Sequence, residues 1–155
     1  MLTESKHWAR EPLQLHHTWP LYEQARHFEL GLILNCAAID AVAPSEVGDL
    51  AVHHAACWEC DLADNSLIWS GGVYDIFGFP RGASVTREEA VALYSDESRA
   101  KMERLRAYAI RHQRGFTLDA EIQPVVGGRR WMRVIAAPAC DGDRVARLHG
   151  LKLIT

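Results

Sequence analysis

The chain has 155 residues, 48% hydrophobic and 24% charged. That is enough for one domain with a sizeable core and too apolar for a disordered chain. Its formal charge of −3 lacks the basic footprint of a nucleic-acid binder, no apolar run reaches the roughly 18 residues of a membrane span, and the start MLTESKHWAREPLQLHHTWP has no secretory apolar core. These features predict a cytoplasmic protein with neither membrane nor nucleic acid as partner. No catalytic triad, carboxylate pair or phosphate-cradling loop stands out, so no catalysis is expected.

Residues 1–19 are polar, with Trp8 and Trp19 but no hydrophobic period, and are expected to be an arm or loop. Residues 20–42 are expected to form a long helix opened by Pro20, which suits a first helical position. Leu21, Ala25, Phe28, Leu32 and Ile39 follow a seam of alternating four- and three-residue steps, with Asn35 at one seam position. Such a helix either packs on its own domain or pairs with its copy in a homodimer, where a single Asn can set the register. Pro44 ends it.

From residue 54 the period changes. Residues 54–61 and 66–70 are expected strands, joined by the turn cluster Ala63-Asp64-Asn65-Ser66. Gly71 to Phe79 suits short helical turns. Thr86-Arg87-Glu88-Glu89 is a capping box opening a short helix, and Ser95-Asp96 caps a longer one over about 97–114. Met102, Leu105 and Ala109 form its apolar stripe, with His112 continuing the line. Its many arginines are expected to be a solvated face. Three strands follow at 116–124, 129–138 and 144–154, with turns at Gly127-Gly128 and Asp141-Gly142. The order is that of an α+β fold with an antiparallel sheet.

Four cysteines, Cys36, Cys57, Cys60 and Cys140, are expected to be free thiols. Cys57 and Cys60 form a C-x-x-C with His53 and His54 upstream, but residues three apart on a strand face opposite ways. A zinc site needs convergent ligands, so no metal is expected. The same parity puts Trp58 with Cys60 on the apolar face and Cys57, Glu59 and Asp61 on the other. It likewise separates Trp131, Arg133, Ile135 and Ala137 from Met132, Val134 and Ala136.

Several segments resemble a known family. They are Trp58-Glu59-Cys60-Asp61-Leu62, Ile68-Trp69-Ser70, Ile76-Phe77-Gly78-Phe79, Tyr94 to Arg99, and Gly128-Arg129-Arg130-Trp131-Met132-Arg133. In order and spacing, over about 100 residues, they resemble a PAS domain of the branch with a Trp-rich first strand (PAS fold family 3-like). The resemblance implies a PAS fold: a five-stranded antiparallel sheet with short helices on one face, plus here an N-terminal helical extension. It implies an arm and dimerisation helix over 1–50 and the PAS-like domain over 51–155. It further implies a sensory or signal-transduction module that senses a small molecule or mediates protein–protein interaction through dimer rearrangement.

Cys60 stands where the family usually has a second Trp, and the family's usual closing Asp-Ile-Thr is replaced by Leu153-Ile154-Thr155. The expected pocket lining is Trp58, Cys60, Tyr74, Phe77, Met102, Leu105, Tyr108 and Phe116. These side chains either take a small apolar ligand or simply fill the core. The flavin-sensor motif is absent, since Asn35-Cys36 continues Ala-Ala-Ile. Aligning on Arg99 puts Met102 at the axial position of haem sensors, so haem or flavin is the alternative rather than the expected cofactor. The length leaves no room for an output domain, which implies a signalling partner in trans or an output domain missing from the sequence.

Overall fold

The computed structural model describes residues 15–28 and 55–155. The expected seam positions Leu32 and Ile39, together with Asn35, Cys36, His53 and His54, lie outside the described residues. So does the expected boundary near residue 50.

The sheet is antiparallel and has six strands in the order β1-β4-β5-β6-β2-β3. They are β1 (His16–Pro20), β2 (Ala55–Asp61), β3 (Leu67–Trp69), β4 (Arg114–Ile122), β5 (Arg130–Asp141) and β6 (Arg144–Ile154). A 3-10 turn (Leu21–Glu23) and one helical turn α1 (Gln24–His27) follow β1, while α2 (Gly71–Phe77), α3 (Arg87–Val91) and α4 (Asp96–His112) separate β3 from β4.

Local chemistry accounts for these boundaries. Thr86 and Glu89 form the expected capping box on α3, and the Ser98 N–H donates to Ser95 Oγ at the start of α4 (3.2 Å). α2 stops at Gly78, whose φ of 79° favours glycine. α4 ends at His112, and Gln113 caps it in the left-handed conformation (φ 53°), two residues before Gly115.

Two expectations change. The sheet has six strands rather than five, because His16–Pro20 pairs with β4 instead of remaining a loose arm. Only Trp19 of that strand is fully buried, so there was no alternation to detect. Pro20 correspondingly closes a strand and does not open a long helix; among the described residues the helical part after it is Leu21–His27.

Strand parity divides the core in two. The inner face carries Trp58, Cys60, Phe116, Leu118, Met132, Val134 and Leu148 and meets α2 and α4. The outer face carries Cys57, Ile135, Ala137 and Leu151 and is covered by Trp19 and Phe28. Cys57 and Cys60 therefore diverge across the sheet, as parity required, and Met132 and Ile135 take opposite faces.

The N-terminal segment is anchored by specific contacts. Trp19 Nε1–H donates to buried Thr117 Oγ1 (3.0 Å), and the indole stacks on His27 (4.1 Å, 6°). The Leu15 N–H donates to Asp119 Oδ2 (2.9 Å), while Arg133 clamps both oxygens of the same carboxylate (2.8 and 3.1 Å). Phe28 meets Trp19 and His149 edge-on. Gly115 makes room for the indole, since a Cβ there would lie 2.2 Å from its ring.

Candidate functional site

Between the inner sheet face and the helices lies a cavity of about 60 Å3. The β2–β3 hairpin opposes Trp58 to Trp69, and Trp69 stacks on Phe77 of α2 (5.1 Å, 13°). Phe116, Met102 and Val134 line it too, and the basic residues Arg87 and Arg106 also border it.

Of the eight expected lining residues, Trp58, Cys60, Phe77, Met102 and Phe116 border the cavity. Leu105 packs against the core without bordering it. Tyr74 is half-buried and edge-on to Trp69 (5.2 Å) without bordering the cavity. Tyr108 is 47% exposed and leans on His112. At 100° per residue, Tyr108 points about 120° away from Met102 around α4, off the buried stripe. His112 is exposed in the last turn. Arg106 departs from the solvated face: it borders the cavity and donates to Asn65 Oδ1 (3.2 Å).

Among the expected seam residues, Phe28 is buried on its own sheet, Leu21 packs beside it, and Ala25 is exposed.

The residue that sequence reasoning passed over is Lys152. In β6, Leu148, Gly150 and Lys152 alternate with His149, Leu151 and Leu153, which places the lysine inward with Leu148. Its register partners are Ala56 of β2 and Val134 of β5. Only 7% of the residue is exposed, and Nζ lies 4.7 Å from the Trp58 ring centroid and 5.6 Å from that of Phe77. Nζ donates to the Tyr94 hydroxyl (3.4 Å). Among the described residues no carboxylate pairs with it, and no acidic side chain borders the cavity.

Burial, opposed by the Cys60 sulfur and helped by Arg87, pushes the ammonium down from 10.5 to about 7. Burial raises the Tyr94 hydroxyl well above its ordinary value, leaving it a neutral donor. Arg87 is held by Glu103. Trp58 Nε1 is buried without a hydrogen-bond partner among the described residues. The site thus combines aromatic walls, a buried amine with no carboxylate partner among the described residues, and an indole N–H without an acceptor among them.

No cluster of three or more His, Cys, Asp or Glu suited to a metal occurs among the described residues. No described helix is long and apolar enough to cross a membrane.

No family model and no curated protein matches the chain. Solved structures do. The N-terminal domain of a diguanylate cyclase with PAS/PAC sensor from Marinobacter aquaeolei superposes with TM-score 0.59 and 15% identity, covering 64% of this chain and 94% of that one. A sensory box histidine kinase/response regulator from Burkholderia thailandensis E264 gives TM-score 0.58 and 15% identity over 69% of this chain and 82% of that one. An RNA-binding light-oxygen-voltage receptor gives TM-score 0.58 and 14% identity; it covers 65% of this chain, but this chain spans only 29% of that receptor. The chain has the PAS/LOV fold.

A flavin or haem does not fit the cavity as it stands. Its volume of about 60 Å3 is well under the ~150 Å3 of a cavity that holds one benzene. Either group would have to displace Trp58, Phe77, Met102 or Phe116.

Proposed function

We propose that the chain is a PAS-type sensory and interaction module with no catalysis of its own. A small molecule in the cavity between sheet and helices shifts the balance between two arrangements of a homodimer. The change is read by a signalling protein in trans or by an attached output domain. The observation that carries the reading is the cavity itself, inside a PAS/LOV fold, bordered by a buried and carboxylate-free Lys152. The superposition with domains from a diguanylate cyclase and a sensory histidine kinase supports the signalling context.

β6 supplies the route. Lys152 faces the cavity, while Leu151 and Leu153 on the reverse face pack in the cluster that holds Trp19 and Phe28. A displacement of β6 therefore reaches the N-terminal segment that leads toward the expected seam.

A native mass spectrum tests this reading directly. It is expected to show a dimer whose mass changes with bound small molecules. A bare monomer under every condition contradicts it, and a Soret or flavin band in the purified protein would replace it with the cofactor-bearing reading. Light scattering of Leu32→Glu is expected to show loss of the dimer; an unchanged mass removes the seam.

A further inference from the structure

We propose that the cavity is a site for a small organic monoanion, a short-chain carboxylate, whose head is received by the Lys152 ammonium and the Tyr94 hydroxyl. The inference rests on the sensory reading above and names its ligand class.

Four observations converge. Lys152 Nζ is buried, and among the described residues it has the Tyr94 hydroxyl at 3.4 Å and no carboxylate. Aromatic faces stand 4.7 and 5.6 Å from it, an arrangement that steadies a cation without neutralising it. The cavity border holds three basic side chains, Lys152, Arg87 and Arg106, and no acidic one. The space of about 60 Å3 is some two water volumes. It therefore takes a carboxylate head with a short apolar tail and excludes a ring unless side chains move.

A buried cation with no counter-charge is costly, and one partner that supplies both the charge and the acceptor atoms removes that cost. An apolar molecule of the same size does neither. Polyanions are excluded by volume, and a cation by Lys152 and Arg106, Arg87 being paired with Glu103.

The charge balance predicts coupled proton binding. In the free protein Lys152 titrates near neutrality; a bound carboxylate favours its charged form. Each acid bound therefore draws part of a proton onto the amine at pH 7 and close to one at pH 8 and above. The other titratable or charged groups facing Lys152 are Cys60 on β2, Tyr94 after α3, Arg87 on α3 with its partner Glu103 on α4, and Arg106 on α4.

The test is calorimetric titration of the full chain at pH 8 with acetate and propionate, and with acetamide and propionamide as uncharged counterparts. Ligands this small are expected to bind at roughly 0.1–10 mM. The acids are expected to bind saturably with net proton uptake, revealed by repeating the titration in buffers of different ionisation enthalpy. Lys152→Met, an apolar replacement for a buried site, is expected to fold and to weaken the acids roughly 10- to 100-fold. Tyr94→Phe is expected to weaken them less. Equal binding of acids and amides, or acid binding untouched by Lys152→Met, overturns the anion assignment and leaves a ligand-binding cavity standing. Binding by neither series overturns the proposal, while the sensory reading stands or falls separately on the native mass spectrum.

Discussion

A lysine at an inward position of a central strand has a measurable cost. Its folded pKa of about 7 lies below the ordinary 10.5, so the unfolded chain binds the extra proton across that interval. Stability is therefore fullest above pH 10.5 and is lost as pH falls toward 7. Lys152→Met is expected to raise stability at pH 7 by a few kcal/mol. Its advantage should shrink steadily as pH approaches 10.5. Denaturant melts of both proteins at pH 7, 8.5 and 10 check this; a pH-independent difference would contradict it. The sequence already carried the signal. Leu148-His149-Gly150-Leu151-Lys152 lies within the expected strand 144–154, and the parity that sets the faces of β2 and β5 puts Lys152 inward with Leu148. Trp58, Cys60, Phe77, Met102 and Phe116 were legible because each sits on a face that parity or helical period fixes. Tyr74 was not, since an aromatic residue on the short α2 satisfies a core, a groove or the surface equally well; Leu105 and Tyr108 sit on the long α4, where the period puts Tyr108 off the buried stripe.

At the scale of elements, β1 is the unexpected piece. It lines the edge of β4 and is held by the Trp19 indole, by the Asp119 carboxylate that Arg133 clamps, and by Arg114, whose Nε–H donates to Thr18 Oγ1 (3.2 Å), rather than by an alternating apolar row. Composition gave no hint of it, because a strand with a single buried side chain has no period to detect. Gly115→Ala would drive a Cβ into the Trp19 ring, and an expected cost of about 1–3 kcal/mol should appear first as faster hydrogen exchange across 16–20. Asp119→Ala leaves Arg133 without its carboxylate and Leu15 without its acceptor; a loss of roughly 2–4 kcal/mol is expected in denaturant melts. The same face is sensitive to acid. Burial lowers both His17 and His149, so the stability they confer is present above about pH 6.5 and is lost as pH falls through their folded values. Exchange protection of 16–28 is expected to weaken from pH 7 to pH 5; protection that holds constant would remove the histidines from the account.

Across the whole molecule, the sheet is one antiparallel plate with a cavity on its inner face and an N-terminal cover on its outer face. The order of elements from β2 onward and the two-faced core were legible from periodicity and from the resemblance to PAS domains. The occupant of the cavity was not, because a charged residue in a strand shows its meaning only when its neighbours are known. β6 joins the two faces, and saturating acetate is expected to change hydrogen exchange in 16–28 as well as around Lys152. A change confined to the cavity would sever sensing from the N-terminal segment. The most direct measurement exploits the sequence's three lysines, Lys6, Lys101 and Lys152. NMR of the chain labelled with 13C in lysine should show three side-chain signals followed against pH. The account predicts one signal, lost in Lys152→Met, that titrates near pH 7 and moves to higher pH when acetate is added. Three signals that all titrate near the ordinary lysine value, with or without acetate, would contradict it.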